Sequence, residues 1–556
     1  VVDFLSQGQA ALWFLSRMAP ASAAYNLVAA ARVVLPEREA LDVEALRRVF
    51  HLLAERHPEL RATFAATPAG TPVKRIHERL DPEFLVVEAT GWSEREIEER
   101  LAAEAGRPFD LEQGPLLRAV LLTGAGAPRL LIAVHHIVAD FWSLEIIARE
   151  MGVLYEEGTA AALPPLRADY GERVRREQER LAGPRGERLW SYWSERLRDA
   201  PDLDLPTDHP RPAHPFHHGG SLSFPLGREL TDGLRELARS RGATLFATLL
   251  AGFQALLART AGQTDFVIGA PAAGRSSADL AGTVGYFVHP LALRAGLGGA
   301  PSGAELVDRA KRTVREGVAH QALPFALLAE RLRPVRVPGK APLFQAMLVF
   351  HQARRPGEEA FPAFVLGRRG ALLPIGRKLA LDAIPLPPRD VPFDLTLILA
   401  EEADGGLAGL AGTLEFSADL FDATTARRLA EHFVRLLAAM VADPARPLDE
   451  LPLAGEAELH QVLSEWNDTV RGDGPPRGAY ERFAAQAART PEAVAVVHGA
   501  ERVTYEELDH RARELAAQLR RMGVGPEKVV GVAKERGVEM VASLLGVMAA
   551  GAAYLP

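Results

Sequence analysis

The sequence predicts a multidomain protein of mixed α/β (α+β) class. Three observations carry that expectation. The chain has 556 residues, and ~100–200 residues per domain suggests three or four units. Segments with apolar residues at helical spacing alternate with short apolar runs of strand length. A hydrophobic content of 48% with 24% charged residues is ordinary for globular proteins and allows large cores.

The elements follow in order. "LDVEALRRVFHLLAERH" has helical periodicity with Asp42 as N-cap. "GPLLRAVLLTGAGAPRLLIAVHH" reads as two strands around the turn Gly124-Ala125-Gly126. "DFWSLEIIAREMGVLYEEG" has helical spacing, so His135 and His136 stand where a buried strand ends and Asp140 near the next helix start. "GERVRREQERLAGPRGERLWSYWSERL" reads as a charged helix whose alternating Arg and Glu form a solvated face. "LPTDHPRPAHPFHHGG" has few periodic apolars and reads as a connection between two lobes. Strand and helix patterns alternate again over about 221–452. "NDTVRGDGPPRGAY" reads as an interdomain linker. Two strand-then-helix units follow, "AVAVVHGAERVTYEELDHRARELAAQLRRMG" and "KVVGVAKERGVEMVASLLGVM". The apolar run Met540–Pro556 is below spanning length and reads as a helix leading into a buried strand, so no membrane partner is expected.

The totals exclude several functions. A net charge of −8 leaves no basic excess to neutralise phosphates, so no nucleic-acid partner is expected. Cysteine is absent, which removes disulfides, thiolate zinc clusters and a cysteine acyl-enzyme, and suits a reducing cytoplasm. Asp3, Gln7 and Gln9 interrupt any secretory signal at the start.

Two strings imitate sites. "GAPAAGRS", Gly269–Ser276, has phosphate-loop spacing but carries Arg275 where lysine must reach the phosphates. "FHHGGSL" leaves His217 and His218 without a downstream carboxylate and reads as surface. "VHHIVADFWS", Val134–Ser143, is different. Neighbouring strand residues face opposite sides, so His135 and His136 do not converge on one metal, and no metal site is expected. One histidine for structure and one, His136, for chemistry is the preferred division.

At this point the chain resembles the condensation domains of nonribosomal peptide synthetases. "HHIVADFWS" resembles their HHxxxDG motif, "SQGQAALWFL" their opening SxAQxxLWxL and "RHPELRATF" their RHExLRTxF. "VGYFVHPLALR" is similar to GxFVNTLxxR, "HQALPFALL" to HQxxPFE and "KAPLFQAMLVF" to NPLFQxMFxF. "VTYEEL" and "MAAGAAYLP" resemble the first two motifs of amino-acid adenylation domains, and the later phosphate-binding motifs are absent, so no ATP-dependent activation is expected of this part.

The resemblance implies two chloramphenicol-acetyltransferase-like lobes in a V-shaped pseudodimer, plus the first βα units of an adenylate-forming domain. It divides the chain into a first lobe over 1–175, a second over 176–453 with the crossing at about 200–220, a linker over 454–482 and the adenylation start over 483–556. It implies amide formation, in which a carrier-bound aminoacyl amine attacks an upstream carrier-bound acyl or peptidyl thioester. The implied partners are a donor and an acceptor carrier protein and the rest of the adenylation domain. Their phosphopantetheine arms deliver the substrates, and no cofactor is bound by the chain itself. His136, His135 and Asp140 are the implied catalytic motif, with Asp140 held by Arg61. Candidates to line the tunnel are Phe141, Trp142, Ser143, Tyr286, Phe287 and His289. Ser143 belongs to the helix start, which favours direct transfer over an acyl-enzyme. Phe141 replaces the usual glycine, and either packs into the core or narrows the donor path. His289 and Pro290 replace the usual asparagine and threonine. An epimerisation-type domain and a catalytically silent docking domain are the alternatives within the family. The adjoining adenylation start and the opening segment disfavour the first, and the intact His136, Asp140 and Arg61 disfavour the second.

Overall fold

Two β-sheets, each lying over its own apolar core, build the larger part of the chain. The computed structural model describes residues 2–36, 39–213, 217–275, 277–332, 337–352, 358–401, 409–469 and 478–556. They divide into two units, Val1–Glu458 and Leu459–Pro556.

The first sheet of the larger unit grows from the hairpin read in the sequence. Leu117–Thr123 and Arg129–His135 pair antiparallel, and Gly124 and Gly126 between them take φ of 86° and 76°, a region open to glycine. Asn26–Val34 pairs antiparallel on one side and Glu83–Glu88 parallel on the other. Leu372–Ile375 and Leu379–Ile384 complete the sheet beyond Asn26–Val34. These two strands fall in the stretch assigned to the second lobe, so that boundary is corrected. The assignment follows chain order, whereas the alternating buried Leu379, Leu381 and Ala383 complete the first core with Leu130, Leu131 and Ile147.

The second sheet has seven strands, in the order His289–Gly296, Asp265–Ala272, Ala346–His351, Leu395–Glu401, Leu410–Ser417, His217–Pro225 and Asp390–Val391. Leu395, Leu397 and Leu399 join the helices Leu245–Ala261 and Ala423–Ala442 in a second core. Helix Leu245–Ala261 is apolar all round because both sides are packed. Among the described residues no single helix is long and apolar enough to cross a membrane.

Three local expectations are corrected. The charged helix is two helices, Tyr170–Leu181 and Pro184–Arg196. Pro184 has no amide hydrogen to donate and starts the second one. The end of the histidine-rich crossing is a strand, His217–Pro225, paired with Leu410–Ser417. Within it His218 does have a carboxylate partner, with Nδ1 2.9 Å from Asp419 Oδ1. Phe216 and Ser276, which stand at the ends of the two imitating strings, lie outside the described residues.

In the smaller unit, helices Ala479–Arg489, Tyr505–Arg521 and Val538–Ala549 pack around Leu508, Ala512 and Ala542. The hairpin Val494–His498 with Glu501–Thr504 precedes the second helix. Val529–Gly531 pairs parallel with Ala553–Leu555. That last strand is exposed, not buried as its apolar composition suggests, because the sheet has only two strands.

Candidate functional site

The strand Arg129–His135 ends one residue before His136, and that break separates the two rings. His135 still obeys the strand alternation. It is 6% exposed, its ring meets Phe109 edge-on at 6.1 Å, and its Nδ1 accepts the Ile137 N–H at 3.1 Å. Burial, with the adjacent His136 as a lesser cause, pushes its pKa down to about 3, so the ring is neutral and structural in environment.

His136 turns out of the sheet. Its backbone N–H donates to Tyr25 O at 2.8 Å, and the residue as a whole is partly exposed. Nδ1 lies 2.7 Å from the Ala139 carbonyl; a carbonyl only accepts, so Nδ1 carries the proton. The lone pair is then on Nε2, which has no hydrogen-bond partner among the described residues. Burial lowers the His136 pKa, against the Ala139 carbonyl and the Asp140 charge, which raise it. Tyr286 meets the ring edge-on at 5.1 Å, and burial raises the pKa of its phenol.

Asp140 caps the helix Phe141–Glu157 and accepts from Ser143 N at 2.7 Å. Its Oδ1 also accepts from Ser143 Oγ at 2.7 Å and from Arg275 Nη2 at 3.0 Å. Oδ2 accepts from Phe287 N at 3.3 Å. Arg275 Nη1 donates in turn to Leu280 O at 2.8 Å and Thr283 O at 2.7 Å, and its guanidinium lies 3.9 Å from the centre of the Phe287 ring. The clamp thus ties the histidine loop of the first lobe to the segment that joins Asp265–Ala272 to His289–Gly296 in the second.

This corrects the expected partner of Asp140. Arg61 is directed elsewhere, with Nε donating to Ala54 O at 2.7 Å and Nη1 to Glu78 O at 2.7 Å. It braces the turn before the strand Ala62–Ala66. In the sequence, Arg275 reads as no more than the flaw in a phosphate-loop imitation. The signal that could have found it is an arginine next to a glycine with positive φ, Gly274 at 65°, at the end of a buried strand.

The lining candidates divide. Phe141 stacks on His351 at 3.6 Å and 13° and meets Phe361 edge-on at 5.3 Å. It is partly exposed and packs against the first core through the buried Phe361. Trp142 donates from Nε1 to Ala281 O at 3.2 Å and is also partly exposed. His289 is partly exposed, hydrogen-bonds the Gln321 carbonyl, and has its pKa lowered by burial. Ser143 and Phe287 do not line an open space, being 0% and 1% exposed. Ser143 Oγ also accepts from Gly285 N at 3.1 Å and from Arg275 Nη2 at 3.1 Å, which leaves it no free lone pair for nucleophilic attack.

The geometry can therefore hold a neutral imidazole with one open nitrogen, on a loop fixed by a buried ion pair. The model of the condensation domain family matches residues 3–463, and that of AMP-binding enzymes matches 483–556. A linear gramicidin synthase protein of Brevibacillus parabrevis is 37% identical over 565 residues, which cover 99% of this chain and 7% of that protein. Phosphinothricin tripeptide synthetase PhsB of Streptomyces viridochromogenes is 39% identical over 569 residues, covering 99% of this chain and 45% of that protein. Among solved structures, a holo four-domain nonribosomal peptide synthetase bound to AMP and glycine is similar with a TM-score of 0.83 and 26% identity, over 100% of this chain and 41% of that one. The chain spans less than half the length of these relatives.

Proposed function

We propose that this chain, which belongs to the condensation domain family, forms an amide bond between two substrates carried on phosphopantetheine thioesters. The acceptor α-amine attacks the donor thioester carbonyl, and a C–N bond forms. The ammonium proton of the tetrahedral intermediate passes to His136 Nε2. The C–S bond then breaks, and the imidazolium returns the proton to the departing thiolate. The products are the amide on the acceptor carrier and a free thiol on the donor carrier.

Magnitudes set what His136 does. An α-amine of pKa ~7.7–8.0 is mostly protonated at neutral pH, which lies only about one unit below that pKa, so freeing it costs about 1.4 kcal/mol. Orientation of two bound reactants contributes roughly 7–11 kcal/mol, and general-base catalysis adds about 10²–10⁴-fold. His136 therefore holds the amine and takes its proton as the bond forms, while the two carriers supply the orientation. Asp140 is no base: both its oxygens are committed to the clamp. It positions the loop.

The observation that carries this reading is the Nδ1–H of His136 on the Ala139 carbonyl, which leaves Nε2 as acceptor. The experiment is mass spectrometry of the product formed between two loaded carriers, with a panel of donors. The parent is expected to transfer the donor to the acceptor amine, whereas His136→Ala stays folded without doing so. A parent that binds both carriers without transfer would instead indicate a docking domain, and inverted stereochemistry of a single carrier-bound residue an epimerising one.

A further inference from the structure

We infer that Gln9, in the opening segment to which no role has been assigned, is a positioning residue for His136. The inference rests on the role of His136 proposed above.

Gln9 lies in the first turn of the helix Gln7–Met18 and is 0% exposed. Three of the four hydrogen-bonding positions of its amide are used. Oε1 accepts from Ser6 N at 3.2 Å. Nε2 donates one hydrogen to Glu59 Oε2 at 3.0 Å and the other to Ile137 O at 3.0 Å. A flipped amide would set its NH₂ against an N–H and its oxygen against a carboxylate and a carbonyl, so only one orientation is satisfied. Glu59 is itself held, with Oε1 accepting from Lys74 Nζ at 2.8 Å, and the pair is 2% and 0% exposed.

Ile137 lies between His136 and Ala139, the residue whose carbonyl sets the His136 tautomer. Gln9 therefore grips the loop that fixes the proton on Nδ1. The same helix turn bears on the other side of the ring. A Cβ at Gly8 would come within 2.5 Å of Tyr286 Cε1, and Tyr286 is the ring that meets His136. Tyr170 Oη donates to Tyr286 O at 2.7 Å, which fixes the backbone that carries that ring. A residue that merely caps the helix would need only the Ser6 contact.

The test is Gln9→Met in the full chain, which keeps the size and loses both donors. Single-turnover transfer between loaded carriers at saturation is expected to fall about 10²-fold, the cost of a small misplacement, with KM for the carriers held within about twofold. The ¹⁵N signals of the His136 ring, read without any substrate, should move from one Nδ1–H tautomer to a mixture. Lys74→Met/Glu59→Gln removes both buried charges yet keeps a side-chain carbonyl to accept from Gln9, so rate and tautomer should stay close to parental.

If Gln9→Met does not fold, the comparison is made by adding it to that neutralised pair. The triple variant should be slow and of mixed tautomer, and the double should not. Equal rates and equal tautomers overturn the inference, as does a triple variant that also fails to fold, since Gln9 is then a stability determinant. A tautomer shift in Gln9→Met, with a parent that forms no amide, counts against the proposed function and not against the positioning.

Discussion

Arg275 Nη2 lies 3.0 Å from Asp140 Oδ1, and the two side chains are only 1% and 3% exposed. Two charges so far from water are stable only as a pair with their remaining hydrogen bonds met. Here Ser143, Phe287, Leu280 and Thr283 meet all but one of them, and the Arg275 Nε–H is buried without a partner among the described residues. Burial lowers the Arg275 pKa against the pull of Asp140.

Removing either partner leaves a buried charge uncompensated. Arg275→Ala is expected to lose about 3–5 kcal/mol in urea unfolding. Asp140→Ala should lose at least as much, since it also forfeits an N-cap of about 1 kcal/mol. In a double-mutant cycle the Asp140/Arg275 pair should couple strongly, and the Asp140/Arg61 pair should be additive. A parental urea midpoint for Arg275→Ala would rule out the clamp.

His135 makes stability depend on acidity. Its pKa is lowered from 6.5 to about 3 in the folded chain, so the unfolded state takes the proton first. The contribution is complete above about pH 6.5 and is lost as the pH falls towards 3, by up to roughly 5 kcal/mol. His135→Asn retains an acceptor for the Ile137 N–H and does not titrate. Its stability should fall less steeply than the parent's between about pH 6.5 and 4, and parallel curves would refute the assignment.

His136 should show itself in the slope of the rate against pH. The amine alone gives a unit slope below its pKa of ~7.7–8.0. Because burial holds His136 below 6.5, the slope of log kcat/KM should steepen towards two at lower pH, where the ring also takes a proton. His136→Ala should be about 10²–10⁴-fold slower and keep the unit slope throughout. A His136→Ala profile that steepens at low pH as the parent's does would exclude the imidazole from proton transfer.

Phe141 bears on donor choice. Its stack on His351 joins the start of the helix in the first lobe to the end of a strand in the second. Phe141→Gly gives up about 0.5–1.5 kcal/mol of ring contact and opens space beside Asp140. A shift of preference among acyl donors, measured in competition by mass spectrometry, is expected. An unchanged preference would assign Phe141 to packing alone.

Much of the site was legible in the string from Val134 to Ser143. A strand that ends, a turn and a capped helix are local consequences of apolar spacing and a carboxylate at the N-cap, and they place His136 outside the strand alternation. The break at Pro184 was missed although proline cannot donate within a helix, because the same charge pattern runs on both sides of it. The partner of Asp140 was not legible. Arg61 and Arg275 are equally charged, and the choice between them depends on which chain segment folds back onto the helix start.

By itself, then, the order of residues determined the periodic elements, the caps and the position of the imidazole at the end of a strand, since these depend on neighbours a few residues apart. Tertiary structure decided that Leu372–Ile384 crosses into the first sheet and that Arg275, 135 residues beyond Asp140, neutralises it. Those outcomes depend on which apolar faces and which buried charges find each other in space, and contacts so distant in sequence leave no periodic trace in it.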